Sequence, residues 1–341
     1  MSNRPHDVCP DCDGVSRRRF LATTAAASAA IAGLPRILSA AEPAVAAAPA
    51  ASKPETLVAQ LYKTLTEDQK KRICFPFDHK LRSEVNNNWF IVERFRVGED
   101  MNADQQAMVM DIFKGLHSEE YADAVLKQVQ NDNNCKNLED TSVALFGEPG
   151  TGKFEFVLTA RHTTRRCDGD SVEGHAFGGP IFYGHASGGF NEKPDHPGNI
   201  YWYQAKRANE LFQALDGKQR EIALQAGGAR KEDKTNTVAL AGDKGKIVGL
   251  PSTEMSKDQK DLLRKVMADV LAPFRKQDIE ESMKLIEANG GFDKIRVAYF
   301  KNMDIGGDGV WDVWQLESPH MLWYFRGSPH VHTWVNIKAP A

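Results

Sequence analysis

The sequence predicts an α+β fold, in which an antiparallel β-sheet built from two β blocks, at about residues 142–185 and 295–337, has helices packed around it. Within both blocks apolar and polar residues alternate, and Gly- or Pro-containing turns separate the runs, which is typical of β-hairpins. Outside the blocks apolar residues recur every three to four positions, as they do in helices. Strands that follow one another in blocks, rather than alternating with helices, argue against a doubly wound parallel sheet.

The helices are located by their apolar spacing and by the signals at their ends. Thr66 is followed by Glu67-Asp68-Gln69, an N-terminal capping pattern that indicates a second helix start within the first helical segment. Gly290 and Gly291 close the last helix, because glycine readily adopts the conformation that ends helices. The predicted helices cover residues 55–73, 103–130 with a break at Gly115, 202–226, about 256–273 and about 277–289.

The segment GEPGTGK, from Gly147 to Lys153, matches the first seven positions of a phosphate-binding loop. The next position should be a Ser or Thr that opens a helix, but it is Phe154, and the residues after it alternate as in a strand. The glycines instead suit a hairpin connection, because glycine tolerates positive φ angles. We therefore expect a strand, a turn and a strand here, with Lys153 facing solvent and no bound nucleotide.

Composition sets the broad class of protein. The chain has 341 residues, of which 41% are apolar, which is enough for one large core. Its formal net charge is −3 and its pI is near 6.4, so no electrostatic argument favours nucleic acid as a partner. The predicted organisation is a signal peptide over residues 1–40, a flexible Ala/Pro linker over residues 41–54 and a single α+β domain over residues 55–337.

The N-terminus contains an export pattern. Arg17 and Arg18 stand in the motif S-R-R-x-F-L, which precedes a weakly apolar Ala-rich run and a small-residue exit at Ala40. This order resembles a twin-arginine leader, and the plain alternative is a basic cluster before an Ala-rich helix. The leader predicts the twin-arginine translocation machinery as a partner and a periplasmic or extracellular location. Because Pro35 interrupts the short apolar run, we expect no stable membrane span in the mature chain.

Cysteine usage leaves one question open. Cys9 and Cys12 precede the twin arginines and are expected to be removed with the leader. Cys74, Cys135 and Cys167 remain, and three thiols in an oxidising compartment permit at most one disulfide. The sequence does not choose the pair.

Histidines at strand spacing suggest a metal site. His330 and His332 flank one residue in a predicted strand, so both imidazoles would lie on the same face of the sheet. His162 and His185 lie in the other β block and are the best donors of a third and a fourth ligand, whereas His175 in a Gly-rich turn is a weaker one. Imidazole ligands suit zinc, copper or iron, so a transition metal is the predicted cofactor.

The same strands allow a second interpretation, a non-catalytic module that binds a saccharide or another planar ligand. Trp323 and Tyr324 are the candidate stacking residues, although alternation predicts that half of the aromatic side chains belong to the core. Arg161 and Arg165 flank His162 and either bind an anionic small-molecule ligand by bidentate contacts or simply face solvent. The aromatic residues of this second interpretation are Trp311, Trp314, Trp323, Tyr324 and Trp334.

Several segments resemble the bacterial family known as domain of unknown function 3500, over about residues 55–337. They are FGEPGTGKFEFVLTARHTTRRCDGDSVEG, GGPIFYGH, LFQALDGKQREIAL and MLWYFRGSPHVHTWVNI. Where that family has Gly-His-His or Gly-Arg-His, this chain has Ala160, Arg161 and His162, so His162 is the position that carries over. The resemblance makes His330 and His332 a feature of a subgroup, and it implies a fold and a location but no reaction.

Overall fold

The computed structural model describes residues 53–186, 196, 198–304 and 310–340. The predicted leader and nearly all of the linker lie outside these residues. Residues Ala51–Ala341 group into one compact unit, to which every described element belongs. Among the described residues, each helix is too short or too polar to cross a lipid bilayer.

The helices begin largely where the capping signals indicate. Thr66 and Ser256 each accept a hydrogen bond from the amide three residues further on, so both predicted starts are confirmed. The single helix predicted over residues 202–226 is wrong, because Leu215 is extended and Asp216 caps a new helix. The described helices are α1 (Pro54–Thr64), α2 (Glu67–Ile73), α3 (Val97–Asp100), α4 (Ala103–Gly115), α5 (Ala122–Asp132), α6 (Trp202–Ala214), α7 (Gly217–Ala223), α8 (Lys257–Leu271) and α9 (Lys276–Ala288).

Eleven strands in the described part of the chain form one sheet. Its order is β1-β2-β3-β4-β5-β11-β10-β9-β8-β6, and β7 pairs with β8 beside this path. Only the short edge pairs β1–β2 and β6–β8 among these strands are parallel. The strands are β1 (Cys74–Phe75), β2 (Ser142–Gly147), β3 (Phe154–Ala160), β4 (Thr163–Cys167), β5 (Ile181–His185), β6 (Leu224–Gln225), β7 (Leu250–Pro251), β8 (Arg296–Phe300), β9 (Val313–Ser318), β10 (Met321–Arg326) and β11 (Val331–Ile337).

The two predicted β blocks meet in the middle of this sheet. The first block supplies β2 to β5 and the second supplies β8 to β11, each as a run of antiparallel neighbours. Strand β11 then pairs antiparallel with β5, which sets His332 opposite Gly184 and Val331 opposite His185. The α+β fold with one largely antiparallel sheet is therefore confirmed, and the β5–β11 pair brings together histidines from both blocks.

The segment GEPGTGK is a hairpin connection, as predicted. Strand β2 ends at Gly147, which has a φ of 75°, and the amide of Glu148 donates to the carbonyl of Lys153 at 3.0 Å. Phe154 then begins β3, and Lys153 is exposed. The helix N-terminus that a phosphate-binding loop requires is replaced here by a strand.

Both faces of the central strands are covered. Helices α6, α8 and α9 pack on one face, where Leu211, Val266 and Trp323 belong to the same core cluster. On the other face Val238, from the long connection between β6 and β7, packs with Trp334. A sheet covered on both faces buries consecutive residues of a strand, so alternation no longer separates core residues from surface residues.

Candidate metal centre

His162 occupies the two-residue turn between β3 and β4 rather than a strand position. Its φ of 56° lies in the left-handed region, which residues other than glycine rarely adopt. The backbone is held there from two sides, because the His162 amide donates to the carbonyl of Asn87 at 3.0 Å and the His162 carbonyl accepts from the amide of Gly184 at 3.1 Å. These bonds stabilise a strained conformation that directs the imidazole toward β11.

His330 and His332 reach the same place from the start of β11. His330 precedes the strand and His332 is its second residue, so period-two geometry directs both imidazoles to one face, as the sequence predicted. Gly184, opposite His332, has no side chain and therefore leaves room for the His162 imidazole. A Cβ atom on Gly184 would lie 3.3 Å from Cδ2 of His162 and 2.2 Å from the carbonyl oxygen of Val331.

The three imidazoles form a buried triad. Nε2 of His162 lies 3.1 Å from Nε2 of His332, which in turn lies 3.0 Å from Nε2 of His330. All three ligand atoms lie within 4.8 Å of one another. Two nitrogens that bind one ion at about 2.1 Å are about 3.0 Å apart at octahedral angles and about 3.4 Å apart at tetrahedral angles. The two separations that involve His332 therefore fit one shared ion, and the His162–His330 pair has to close by at most about 1.8 Å to reach the octahedral separation.

Asp132 fixes the orientation and tautomer of His162. Its Oδ2 lies 2.6 Å from Nδ1 of His162, and it also accepts bonds from the Gln128 amide group at 3.1 Å and from the Ala186 backbone amide at 3.1 Å. Burial alone would raise the pKa of Asp132, but the hydrogen bonds from His162 and His185 lower it to about 2. Because an ionised carboxylate can only accept, Nδ1 of His162 carries the proton.

Glu232 has the same relation to His332. Its Oε2 lies 2.5 Å from Nδ1 of His332, and Arg326 donates to both Glu232 oxygens, at 2.6 and 3.3 Å. Burial opposes ionisation, but the His332 hydrogen bond and the Arg326 charge lower the pKa of Glu232 to about 2. Burial also lowers the pKa of His332 to about 3, so this imidazole is neutral at pH 7. Its proton lies on Nδ1, facing Glu232.

The tautomers decide what the triad can bind. In the state in which both rings are neutral with Nδ1 protonated, Nε2 of His162 and Nε2 of His332 each present a lone pair to the other across 3.1 Å. Two lone pairs at this distance repel each other, and either a proton or a metal cation between them removes the repulsion. Imidazoles whose Nδ1 donates to a carboxylate while Nε2 faces a common point are the usual arrangement of histidine metal ligands.

The other predicted site residues lie outside the triad. His185 is buried, and its Nδ1 lies 3.5 Å from Oδ1 of Asp132, so it shares the carboxylate that orients His162. Arg161 is partly buried beside His162, with its Nη1 3.5 Å from the carbonyl oxygen of Asp132. Arg165 lies on strand β4 and is almost fully buried.

The aromatic side chains of the second interpretation are largely in the core. Trp323 packs in the cluster under α8 and α9, and Tyr324 packs in the cluster on the opposite face of the sheet. Trp314 and Trp334 are fully buried as well, and Trp311 is partly buried. A surface that stacks on a planar ligand needs exposed rings, so the position of these side chains does not favour that interpretation.

Sequence reasoning did not identify Asp132 and Glu232. Asp132 carries one signal, because an acidic residue at the C-terminal end of a helix opposes the helix dipole and therefore needs another reason to be there. Glu232 lies in an irregular connection with no periodic pattern, so only the folded chain shows that it is next to His332. Cys74, Cys135 and Cys167, whose pairing the sequence left open, are free thiols.

The fold and the site together define an α+β protein with a buried three-histidine cluster supported by two carboxylates. The chain belongs to the family described as protein of unknown function (DUF3500), whose model matches residues 48–338. No curated protein and no solved structure matches the chain.

Proposed function

We propose that this protein binds a transition metal ion through Nε2 of His162, His330 and His332, as a metal-binding protein or metal-dependent enzyme of the cell envelope. The observation that carries the proposal is the convergence of these nitrogens, with Nδ1 of His162 and His332 each bonded to a buried carboxylate. Buried polar groups normally have partners of complementary character, and a metal cation between the two Nε2 atoms satisfies both neutral rings at once.

The ligand type narrows the metal. Three neutral imidazoles suit zinc, copper or iron, whereas magnesium and calcium prefer oxygen ligands. Three protein ligands also leave a coordination position for water or a substrate, which is the pattern of catalytic rather than structural zinc sites. Such an ion would supply Lewis acidity, and the three histidines would hold it in place.

The charge around the triad also supports a dication. Asp132 places a negative charge one imidazole away from the ion, where it offsets part of the ion's charge in a buried site, while the charge of Glu232 is already paired with Arg326. By accepting from Nδ1, each carboxylate also raises the basicity of the Nε2 that binds the metal.

We further propose that the protein reaches the envelope through the twin-arginine pathway. The support is the S-R-R-x-F-L motif with Arg17 and Arg18, followed by the Ala-rich run and the exit at Ala40. This pathway moves folded proteins, which would allow the metal to be acquired before export.

The proposal is tested by metal analysis of untagged protein that is purified without chelators after native export. We expect about one ion of zinc, copper or iron per chain. The double variant His330→Ala, His332→Ala should lose the ion and keep its circular dichroism spectrum. The control variant His320→Ala removes a histidine that bonds to Asp243 near the surface and should retain the metal. Substoichiometric metal in the native protein, or unchanged metal in the double variant, contradicts the proposal.

A further inference from the structure

A row of buried polar groups continues inward from Asp132. The amide nitrogen of Gln128 donates to Oδ2 of Asp132 at 3.1 Å, on the same oxygen that faces His162. The hydroxyl of Tyr201 donates to Oε1 of Gln128 at 3.4 Å. Gln128 and Tyr201 are at most 2% exposed, so solvent does not substitute for these bonds.

The charge of Arg165 acts on the Tyr201 hydroxyl at the inner end of this row. The Nε of Arg165 donates to Nε2 of His117 at 3.0 Å. Its other described hydrogen bonds go to the backbone carbonyls of Thr164 and Phe182. Each of these partners is neutral, so the positive charge of Arg165 is buried without an adjacent acid among the described residues. A buried cation of this kind needs compensation from further away.

The hydrogen bonds of Tyr201 and Gln128 share one direction. The Tyr201 hydroxyl donates to Gln128, and the Gln128 amide donates to Asp132. Hydrogen bonds aligned in one direction polarise one another, so the Tyr201 hydroxyl strengthens the bond that Gln128 donates to the Asp132 carboxylate. His117 lies outside this row, because its Nε2 accepts from Arg165 and its Nδ1 donates to the Phe113 carbonyl.

We propose that Gln128 and Tyr201 are positioning residues of the metal centre, which hold Oδ2 of Asp132 against Nδ1 of His162. The inference rests on the proposed metal site. Each supporting carboxylate then has its own donors, since Arg326 donates to Glu232 and Gln128, backed by Tyr201, donates to Asp132.

A second tyrosine–glutamine pair provides a matched control. Tyr183 packs against Tyr201 with ring centroids 4.6 Å apart and ring planes tilted by 45°, is equally buried, and donates to Oε1 of Gln204 at 2.8 Å. Gln204 in turn donates to the carbonyl of Asp269 rather than to Asp132. Removing the same polar groups from this pair disturbs the same core without interrupting the row.

The experiment uses the full mature chain loaded with Co²⁺, whose unpaired electrons shift the proton resonances of bound imidazoles. The exchangeable Nδ1 proton of His162 reports its bond to Asp132, and that of His332 reports its bond to Glu232. We expect Gln128→Met and Tyr201→Phe to move the His162 resonance and leave the His332 resonance in place. Co²⁺ affinity should fall about tenfold in Gln128→Met and about threefold in Tyr201→Phe, less than for loss of the carboxylate itself.

The control variants Gln204→Met and Tyr183→Phe should leave both resonances and the affinity within a factor of two of the unmodified protein. Equal effects in both pairs, or an unmoved His162 resonance in Gln128→Met, overturn the inference even if the protein binds Co²⁺. Failure of the unmodified protein to bind Co²⁺ contradicts the metal site itself. Thermal melting of the four variants shows whether any difference is due to unfolding.

Discussion

Nε2 of His162 and Nε2 of His332 lie 3.1 Å apart, although 170 residues separate the two histidines in the chain. Each ring is turned by a carboxylate on its far side, Asp132 for His162 and Glu232 for His332. When both rings are neutral, the two carboxylates therefore hold two lone pairs in a repulsive arrangement. A bound cation converts this repulsion into two coordinate bonds, which links the stability of this region to metal binding.

Asp132→Asn should weaken metal binding about 10- to 100-fold, because the ring loses the charged acceptor that fixes its tautomer and raises its basicity. The amide still fits the space, so we expect the fold to persist. Competition titration with a chromogenic chelator measures the affinity. Asp123→Asn, on the same helix but in an exposed ion pair with Lys114, is the matched control and should bind as the unmodified protein does. Equal affinities for the two variants would mean that Asp132 does not support the metal ligand.

Gly184→Ala should remove metal binding without changing a ligand. The added Cβ would meet the Val331 carbonyl oxygen at 2.2 Å and Cδ2 of His162 at 3.3 Å, so the β5–β11 pair has to separate and the ring has to move. We expect a loss of about 2 kcal/mol or more in the free energy of unfolding, as for other overpacked sites. Gly152→Ala is the control, because its nearest neighbour would lie 3.9 Å away. Metal content and urea unfolding are measured on both variants. Normal metal binding in Gly184→Ala would show that the close approach of Gly184 to His162 and Val331 is not needed for the site.

The sequence predicted the part of the site that depends on strand geometry. His330 and His332 share a face because side chains of a strand repeat every two residues. His162 was also identified, but its place in a turn with positive φ follows from bonds to Asn87 and Gly184 that are distant in sequence. The supporting carboxylates come from a helix end and an irregular connection, and only tertiary packing brings them to the histidines.

Alternation along a strand also could not predict the burial of the aromatic residues. Alternation assigns one face of a strand to the core and the other to solvent, but this sheet is covered on both faces. Neighbouring residues such as Trp323 and Tyr324 are therefore both buried, in different clusters. The split near Asp216 was missed because apolar spacing continues across it, and the capping bond between Asp216 and Gln219 is a local polar signal.

Replacement of Arg17 and Arg18 by lysine should block export, because the paired arginines are the feature that the twin-arginine machinery recognises. We expect full-length, uncleaved protein in the cytoplasmic fraction, whereas the unmodified protein is recovered from the envelope fraction with a new N-terminus at Ala41. Cell fractionation and N-terminal sequencing measure both results. Arg4→Lys, outside the motif, is the control. Normal processing of the double variant would show that another signal directs the chain.

The raised pKa of Glu281, a residue outside the metal centre, predicts that the stability of the protein depends on pH. Burial, followed by repulsion from Asp168 and Asp278, raises the pKa of Glu281 from 4.5 to about 7. The folded protein therefore holds a proton on Glu281 that the unfolded chain releases. Below pH about 4.5 Glu281 is protonated in both the folded and the unfolded chain, so it does not lower the free energy of unfolding there. As pH rises from about 4.5 to 7, the unfolded chain releases this proton more readily, and the free energy of unfolding falls.

Glu281→Gln should remove that loss, because the amide keeps an acceptor oxygen for the Phe177 backbone amide and carries no charge. We expect the variant to exceed the unmodified protein by about 1 kcal/mol in free energy of unfolding at pH 8 and to match it at pH 4.5, a value reduced for the partial exposure of the side chain. Glu280→Gln, which removes only an exposed pair with Lys276, is the control. Urea unfolding at both pH values measures the difference. If the free energy of unfolding differs between Glu281→Gln and the unmodified protein by the same amount at both pH values, the effect is due to packing and not to charge.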